Sequence, residues 1–600
     1  MTYRKDIDGL RAVAVVAVVF FHLGYLPNGY LGVDIFFVIS GFLITSIIYS
    51  DLKRNDFSIL DFYNRRIRRI LPLLLCITST ALILGLLLML PDDLENLAQS
   101  VVASNFSANN ILMLLTSGDY WIVKNEYKPL MHTWSLGIEE QFYLIYPVLL
   151  LLIARVRLGL ILPFLIGITV LSIALFLFCG TPADRFFLLP YRLFELTIGG
   201  VVAAILLIRK KDHPALKFMY PLAGMGILLC LGITIKNHQS LVLITTFLTA
   251  IMIYAGSFNS SGTRIFASLL SNSVIVFIGK ISFSIYLWHH LIFSFARYAF
   301  VEKITFVLSL LLIALTLLLS IITYYLIEKP FRNRGLWSMK KVYTLLSIPF
   351  VLTTVAALYL YMVGGVYKDF EIIGLTTQDV EQQGYNFFSR SDNVHIHYNE
   401  IIRERDTPFE DSNKKKVLII GDSYGRDVTN ILLEYDHEQH TDLSYFDVER
   451  IHQDSTIINR WNNADLVILA ASSNYDKNWV AQVGHRFTSS LDTEKLYVFG
   501  TKDFGYSNGI HFNKFNSIND YASYHAPMRK DVLIIEQQLK REWQEKYVSL
   551  IEPLLITQDE IRVFDDNGKL LSQDTFHLTK AGATYYATVL NDWLHEHLSD

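Results

Sequence analysis

An arginine and a histidine stand eleven positions apart in the apolar stretch LRAVAVVAVVFFHLG, residues 10–24. At about 100° and 1.5 Å per residue, Arg11 and His22 share one helix face and lie roughly 16 Å apart along it. An arginine at a membrane interface suits a phosphate-bearing ligand, because its guanidinium stays charged and binds oxyanions in a bidentate way. A neutral imidazole within the bilayer can act as a general base. The spacing predicts a long anionic donor, although Arg11 alone fits plain charge anchoring equally well.

Other ionisable and hydroxyl groups stand in or beside the predicted spans. They are Asp34, Ser40, His132, Glu139, Glu140, Arg192, Glu195, Ser282, Ser284, Tyr286 and His289. Ionisable side chains within a bilayer are costly and usually serve function. A bundle that faced only lipid would not retain so many of them.

A second chemical constellation lies near the C-terminus. In VLIIGDSYGRD, residues 417–427, an apolar strand leads through a turn at Gly421 to Ser423 at the start of a predicted helix. A hydroxyl there lies beside free backbone N–H groups and the positive end of the helix dipole, which favour an oxyanion. In DTFHLTKAGA, residues 574–583, Asp574 precedes His577 by three residues, and Thr579 is a candidate N-cap of the last helix. Together these residues supply a Ser, His, Asp triad.

Two other interpretations of this constellation remain open. GDSYG also fits the Gly-x-Ser-x-Gly elbow of α/β-hydrolases, but that fold usually separates its acid from its histidine by a longer stretch. Alternatively, Asp574 is a turn residue and His577 a surface residue before a capped helix.

Composition places these residues in a polytopic membrane protein. The chain has 600 residues, of which 52% are apolar and 18% charged. Its net charge of −4 shows no overall excess of basic residues that could bind a phosphate backbone, so we exclude nucleic acid as a partner. The three cysteines all fall in apolar runs and form neither a disulfide framework nor a zinc motif, so we predict no metal. Apolar stretches predict eleven spans, near 10–23, 31–50, 70–90, 140–154, 158–179, 187–208, 216–235, 240–256, 282–300, 304–327 and 342–363.

The distribution of basic residues predicts the topology. Lysine and arginine concentrate in one set of alternate loops, which by the positive-inside rule is cytoplasmic and includes the N-terminus. An odd number of spans then places everything after residue 363 outside. There, runs such as KVLII (416–420) and ADLVILA (464–470) alternate with helix-like stretches, the pattern of a doubly wound α/β domain. We predict a membrane domain over 1–335, an additional helix and linker over 336–410, and an α/β domain over 411–600.

The membrane motifs resemble those of a known family. DGLRAVAVVAVVFFHLG, GVDIFFVISGFLIT, RRIRRILP, HTWSLGIEEQFYLIYP, YRLFELTIGG, ISFSIYLWHH and EKPFR look like the acyltransferase type 3 family of bacterial integral-membrane acyltransferases. The resemblance implies ten core spans followed by one linking span, and makes Arg11 and His22 the essential pair. It implies acyl-coenzyme A, most often acetyl-coenzyme A, as donor substrate, with no permanently bound cofactor.

The same resemblance implies roles for individual residues. His22 deprotonates the acceptor hydroxyl or carries the acyl group itself, and Arg11 holds a coenzyme A phosphate. His132 and Glu139 are expected in the pocket. Arg65 and Arg68 of RRIRRILP are expected to contact coenzyme A from the cytoplasmic side, although plain anchoring explains that segment as well.

The C-terminal motifs resemble the SGNH hydrolase family. GDS matches its first signature and the Asp574 to His577 spacing its last, while ADLVILAASSNYD is similar to its third. The resemblance implies that Ser423 is the nucleophile, with Asp574 and His577 as its triad partners. It also implies that Asn474 is an oxyanion-hole donor.

Together the two resemblances predict a multi-pass protein of the cell (inner) membrane, with its C-terminal domain periplasmic or extracellular. The expected activity is O-acyl transfer, most often O-acetyl transfer, from cytoplasmic acyl-coenzyme A to hydroxyls of a cell-envelope glycan. That glycan is lipopolysaccharide O-antigen, peptidoglycan or exopolysaccharide. Two alternatives stay open: an outer domain that deacetylates the glycan, and a transporter with an external binding module.

Overall fold

The computed structural model divides the chain into two compact units. The first comprises Met1–Leu87 and Asn96–Tyr359, and the second comprises Leu88–Glu95 and Leu360–Asp600. The structure describes residues 3–116, 125–208, 216–233, 237–258, 267–299, 304–366, 371–382, 397–436, 439–451, 454–470, 491–505, 520–521, 523–573 and 577–598. The helix Met339–Met362 lies mostly in the first unit, and the predicted domain bounds of 1–335, 336–410 and 411–600 stay predictions.

The first unit is built from helices. They are Lys5–His22, Gly32–Lys53, Ile59–Leu88, Pro91–Asn105, Asn109–Thr116, Thr133–Val156, Ile161–Phe178, Pro182–Phe187, Leu189–Ile208, Leu216–Gly232, His238–Ala255, Ser273–Lys280, Ser282–Ala299, Phe306–Thr323, Lys329–Arg332 and Met339–Met362. A π-helical turn, Tyr324–Glu328, joins Phe306–Thr323 to Lys329–Arg332. All eleven predicted spans overlap helices of this set.

Eight helices of the described chain are long and apolar enough to cross a membrane. The pair Ser273–Lys280 and Ser282–Tyr298, which is bent by 66°, makes a ninth if it forms one span. The helix Phe218–Gly232 is apolar but shorter, and Lys5–His22 lies outside the set because its first two turns contain four charged residues. The protein is therefore a multi-pass membrane protein, and the total of eleven spans stays a prediction.

Two glycines let a central pair of helices cross closely. A Cβ at Gly41 would lie 1.7 Å from the carbonyl oxygen of Leu196, and one at Gly199 would lie 2.1 Å from the carbonyl oxygen of Val38. Small residues at helix contacts are typical of membrane bundles, because dispersion and close packing replace the hydrophobic driving force there. This crossing fixes the helices Gly32–Lys53 and Leu189–Ile208 against each other.

A buried ion cluster joins the same two helices. The Arg192 guanidinium lies 2.8 Å from an Asp34 carboxylate oxygen and 3.0 Å from a Glu195 carboxylate oxygen. All three side chains are at most 2% exposed. Removing one partner of a buried ion pair leaves an uncompensated charge, so Asp34 and Arg192 depend on each other across the two helices.

The second unit contains two sheets with flanking helices. The strands are β1 Lys415–Gly421, β2 Thr441–Asp447, β3 Leu466–Ala470, β4 Leu496–Phe499, β5 His525–Pro527, β6 Tyr547–Val548, β7 Leu555–Thr557 and β8 Glu560–Arg562. The helices are Thr377–Gln382, His397–Glu400, Ser423–Asp436, Thr456–Asn463, Lys530–Trp543, Lys580–Val589 and Asn591–Leu598. Thr579 caps Lys580–Val589 by accepting the Gly582 N–H at 3.1 Å, as the sequence predicted.

The main sheet is parallel, with strand order β2-β1-β3-β4-β6. The central strands β1 and β3 are buried along most of their length and are almost continuously apolar. Such strands are typical of parallel sheets that are covered by helices on both faces. The order reverses at β1, which has β2 on one side and β3 on the other. In doubly wound sheets, ligands bind at the carboxyl ends of the strands at such a reversal. The predicted α/β class of the C-terminal part is confirmed.

Candidate active sites

A pocket inside the helical unit gathers polar groups from five helices. Its polar lining residues are Arg11, Ser40, Arg66, Arg69, Ser135, Glu139, Tyr143, Ser282 and Tyr286. The remaining lining is aliphatic and aromatic, including Phe36, Phe37 and Leu43. Three guanidinium groups thus surround a largely apolar space, an arrangement that suits a ligand with both phosphate and apolar parts.

The four arginines of RRIRRILP face in two directions. Arg66 and Arg69 line the pocket, and the Arg66 guanidinium lies 5.6 Å from the Tyr143 ring centre. Arg65 instead pairs with the Asp61 carboxylate at 2.5 Å. Arg68 is 5% exposed and donates hydrogen bonds to two main-chain carbonyl groups, at 3.0 and 2.6 Å. Arg65 and Arg68, which were predicted to contact the donor, do not line this pocket, whereas their neighbours Arg66 and Arg69 do.

Glu139, predicted as a pocket residue, lies in the pocket wall. Its carboxylate accepts hydrogen bonds from the Ser40 hydroxyl at 2.7 Å and from the Tyr143 hydroxyl at 3.1 Å. Arg11 also lines the pocket, and its guanidinium lies 3.4 Å from the Asp8 carboxylate. These two predicted residues therefore belong to one site.

His22 and His132 lie in a group of histidines next to this pocket. The His22 ring centre is 5.3 Å from that of His289 and 4.7 Å from that of His290. The His132 ring centre lies 5.7 and 5.0 Å from the same two rings. Tyr286 lines the pocket, and its ring centre is 5.5 Å from that of His132 and 5.6 Å from that of His289. Tyr286 thus connects the arginine pocket to the histidine group.

In the α/β unit, the turn that presents Ser423 depends on a glycine. A Cβ at Gly421 would lie 1.8 Å from the carbonyl oxygen of Ala470 on the neighbouring strand. The Tyr424 N–H donates to the Asp422 carboxylate at 2.8 Å, which closes the turn into the helix Ser423–Asp436. Ser423 is half-buried at the N-terminus of this helix, after the carboxyl end of β1. That position is where the strand order of the sheet reverses, and ligands of doubly wound sheets commonly bind at such a point.

A buried network brings the His577 segment to the Ser423 helix. Asp427, one turn into that helix, accepts the Leu578 N–H at 3.1 Å. The same carboxylate pairs with the Lys502 ammonium at 2.6 Å, and both side chains are fully buried. Asn399 donates to Asp427 at 2.6 Å and to the Ser423 carbonyl oxygen at 2.9 Å. The residue after His577 is therefore fixed to the helix that starts at Ser423.

Glu400 pairs with Arg426 of the helix Ser423–Asp436, at 2.9 Å, and with Arg403. Partial burial opposes ionisation of Glu400, but the hydrogen bond from Arg403 and the charges of Arg426 and Arg403 outweigh it and lower the pKa of Glu400. His577 is half-buried and directly precedes Leu578, which is bound to Asp427 of the same helix. Asp574 and Asn474 lie outside the described residues, so their predicted roles stay predictions.

Sequence reasoning missed Arg66, Arg69, His290, Asp427 and Lys502. Arg66 and Arg69 are three positions apart and so share a helix face, a signal that was present but did not say which face looks inward. His290 directly follows a histidine that the sequence analysis had noted. Asp427 and Lys502 carried no sequence signal, because their pairing depends on the tertiary fold.

The described chain combines a helical unit that contains membrane-length helices and a cationic pocket with a unit built on a parallel α/β sheet. The family model described as acyltransferase domain, acyltransferase type 3, matches residues 4–325. The chain belongs to this acyltransferase family.

Named relatives agree with this assignment. A Staphylococcus aureus (strain MRSA252) protein named "Putative O-acetyltransferase SAR0937" is 30% identical over 469 residues, covering 71% of this chain and 75% of its own. The protein named O-acetyltransferase OatA of S. aureus (strain NCTC 8325 / PS 47) is 31% identical over 360 residues, covering 56% of this chain and 58% of its own. No solved structure matches the chain. Family and relatives together support O-acetyl transfer as the enzymatic activity.

Proposed function

We propose that this enzyme moves an acetyl group from cytoplasmic acetyl-coenzyme A across the membrane to hydroxyl groups of a cell-envelope glycan. In balance, the thioester C–S bond breaks and a glycan C–O ester bond forms, while the hydroxyl proton ends on the coenzyme A thiol. Ser423 is an intermediate acceptor on this route, which splits one difficult transfer into two easier ones.

The observation that carries the proposal is the pocket that Arg11, Arg66 and Arg69 share with Glu139. Coenzyme A is a polyanion, and guanidinium groups bind phosphate oxygens with charge-assisted, often bidentate, hydrogen bonds. The apolar part of the lining suits the less polar arm that leads to the thioester. His22 is the proposed proton acceptor or acyl carrier. Its ring lies near that of His289, which in turn lies near Tyr286 of the pocket lining.

The acceptor side of the proposal rests on the α/β unit. The positive end of the helix Ser423–Asp436 stabilises the oxyanion that forms when the Ser423 hydroxyl attacks an acyl group. His577 takes the hydroxyl proton, Asp574 orients that imidazole, and Asn474 donates to the oxyanion. The concentration of basic residues in one set of loops supports a cytoplasmic N-terminus and an α/β unit on the outer face.

The test compares glycan acetylation in cells that produce the wild type, His22→Ala, Ser423→Ala or Ser455→Ala. Ser455 is a matched control, because it is an exposed serine at another helix N-terminus of the same unit and makes no capping hydrogen bond. Mass spectrometry of the surface polysaccharide should show acetyl groups lost with His22→Ala and Ser423→Ala and retained with Ser455→Ala. Full acetylation with Ser423→Ala contradicts the relay, and increased acetylation identifies the α/β unit as a deacetylase.

A further inference from the structure

The histidine group of the helical unit has the composition of a metal centre. His22, His289 and His290 each offer a ring nitrogen, and these three nitrogens lie within 4.8 Å of one another. His289 and His290 are fully buried, and His22 is half-buried at the end of the first helix. The three residues come from two helices, Lys5–His22 and Ser282–Ala299, which are distant in sequence and adjacent in the bundle.

Hydrogen bonds to the main chain determine which nitrogen of two rings carries its proton. His289 Nδ1 lies 3.1 Å from the Ile285 carbonyl oxygen, and His290 Nε2 lies 3.0 Å from the Lys128 carbonyl oxygen. A carbonyl oxygen only accepts, so the N–H group of each neutral ring is at that atom. The lone pairs are therefore on His289 Nε2 and His290 Nδ1.

These two lone-pair nitrogens are buried and have no hydrogen-bond donor among the described residues. Buried polar atoms almost always have a partner in native proteins. Ligating histidines commonly donate their other N–H to a main-chain carbonyl, which fixes the tautomer and orients the ring toward the metal. Both rings follow this pattern, so the two orphaned lone pairs require a Lewis acid or a donor that is not part of the described chain.

We propose that His22, His289 and His290 bind a divalent cation of the zinc class. Three neutral imidazoles suit Zn²⁺, and three protein ligands with a fourth, open position are typical of catalytic zinc sites. Tetrahedral ligand bonds of about 2.0–2.1 Å place ligand nitrogens roughly 3.3 Å apart, so nitrogens that are up to 4.8 Å apart must approach one another by up to about 1.5 Å.

One positive charge beside the site, that of Arg297, is paired with a carboxylate. The Arg297 guanidinium donates to the His22 carbonyl oxygen and lies 3.6 Å from the Glu126 carboxylate, which offsets its charge. His132 packs against both His289 and His290 and completes an imidazole wall around the site. The inference goes beyond the proposed function and would replace one part of it: with the metal bound, His22 is a ligand, and without the metal it keeps the role of proton acceptor or acyl carrier proposed above.

The test measures metal in the full-length protein, purified in detergent through a tag that contains no histidine. After treatment with chelator and reloading with Zn²⁺, mass spectrometry of the metal should find one equivalent in the wild type. Since loss of an outer-shell partner alone weakens binding about 10–100-fold, His289→Ala and His290→Ala should each weaken the Zn²⁺ Kd by at least about 100-fold. His238→Ala is the control, because this histidine of the same unit contacts Tyr30 and lies outside the group.

A second measurement separates loss of a ligand from loss of the fold. His289→Cys keeps a metal-binding side chain, so Co²⁺ bound to it should show a sulfur-to-cobalt charge-transfer band that the wild type lacks. A wild type that retains far less than one equivalent after reloading overturns the proposal. Equal Zn²⁺ affinity of the wild type and His289→Ala overturns it too. Both results are independent of acetyl transfer, so they leave the proposed function untouched.

Discussion

Replacing single arginines of RRIRRILP tests the pocket most sharply, because neighbours face different surroundings. Arg66 lines the pocket beside Tyr143, whereas Arg65 pairs with Asp61 outside it. A hydrogen bond to a charged group contributes about 1.5–3 kcal/mol. At 1.4 kcal/mol per tenfold change, Arg66→Ala should raise the KM for acetyl-coenzyme A by roughly 10–150-fold.

The assay is acetyl transfer by the full-length protein in proteoliposomes, with acetyl-coenzyme A varied at fixed acceptor. Phosphate contacts hold the ground state and the transition state alike, so kcat should change little. Arg69→Ala should behave like Arg66→Ala, whereas Arg65→Ala should leave KM within about twofold, since exposed ion pairs contribute at most about 1 kcal/mol. Equal KM values for Arg66→Ala and Arg65→Ala would refute the assignment of this pocket to the donor.

Three further predictions concern the scaffold. Gly41→Ala should abolish monodisperse protein in size-exclusion chromatography, because its Cβ would lie 1.7 Å from the Leu196 carbonyl oxygen, whereas Gly167→Ala, with nothing within 4 Å, should not. Asp427→Asn leaves a buried lysine ammonium unpaired, so it should destabilise the α/β unit by about 3–5 kcal/mol, seen as a lower melting temperature with unchanged KM for acetyl-coenzyme A. Burial raises the pKa of Asp436, but hydrogen bonds from Thr441 and His440 outweigh it and the net pKa is lowered. Its contribution to stability is therefore present above the unfolded pKa of about 3.9 and lost as pH falls through the folded value, so the melting temperatures of wild type and Asp436→Asn should differ at pH 7 and converge in acid.

The positions of the membrane helices could largely be predicted from the sequence. The residue pairs formed between those helices could not. Hydropathy located a helix at every predicted span, because bilayer thickness fixes the length of apolar stretches. Isolated charges in those spans indicated that partners exist. Which ones pair, as Arg192 does with Asp34, depends on how distant helices cross.

In the candidate sites, too, the sequence predicted local features but not those that depend on the tertiary fold. Short-range patterns predicted Ser423 at the start of a helix and Thr579 as a cap, since both depend on a few neighbouring residues. The sequence did not predict which arginines of RRIRRILP line the pocket. Helix periodicity places Arg66 and Arg69 on one face, but it does not indicate which face of the helix points into the protein. The metal-ligand geometry of the histidines was also hidden, since it requires two helices to meet.

The most direct test of the account follows the acetyl group itself. Full-length protein in proteoliposomes is incubated with radiolabelled acetyl-coenzyme A, quenched in acid and mapped by peptide mass spectrometry. The account predicts label on the peptide that contains Ser423, and loss of that label in both Ser423→Ala and His22→Ala. Undiminished transfer of label to a glycan acceptor by Ser423→Ala would contradict it.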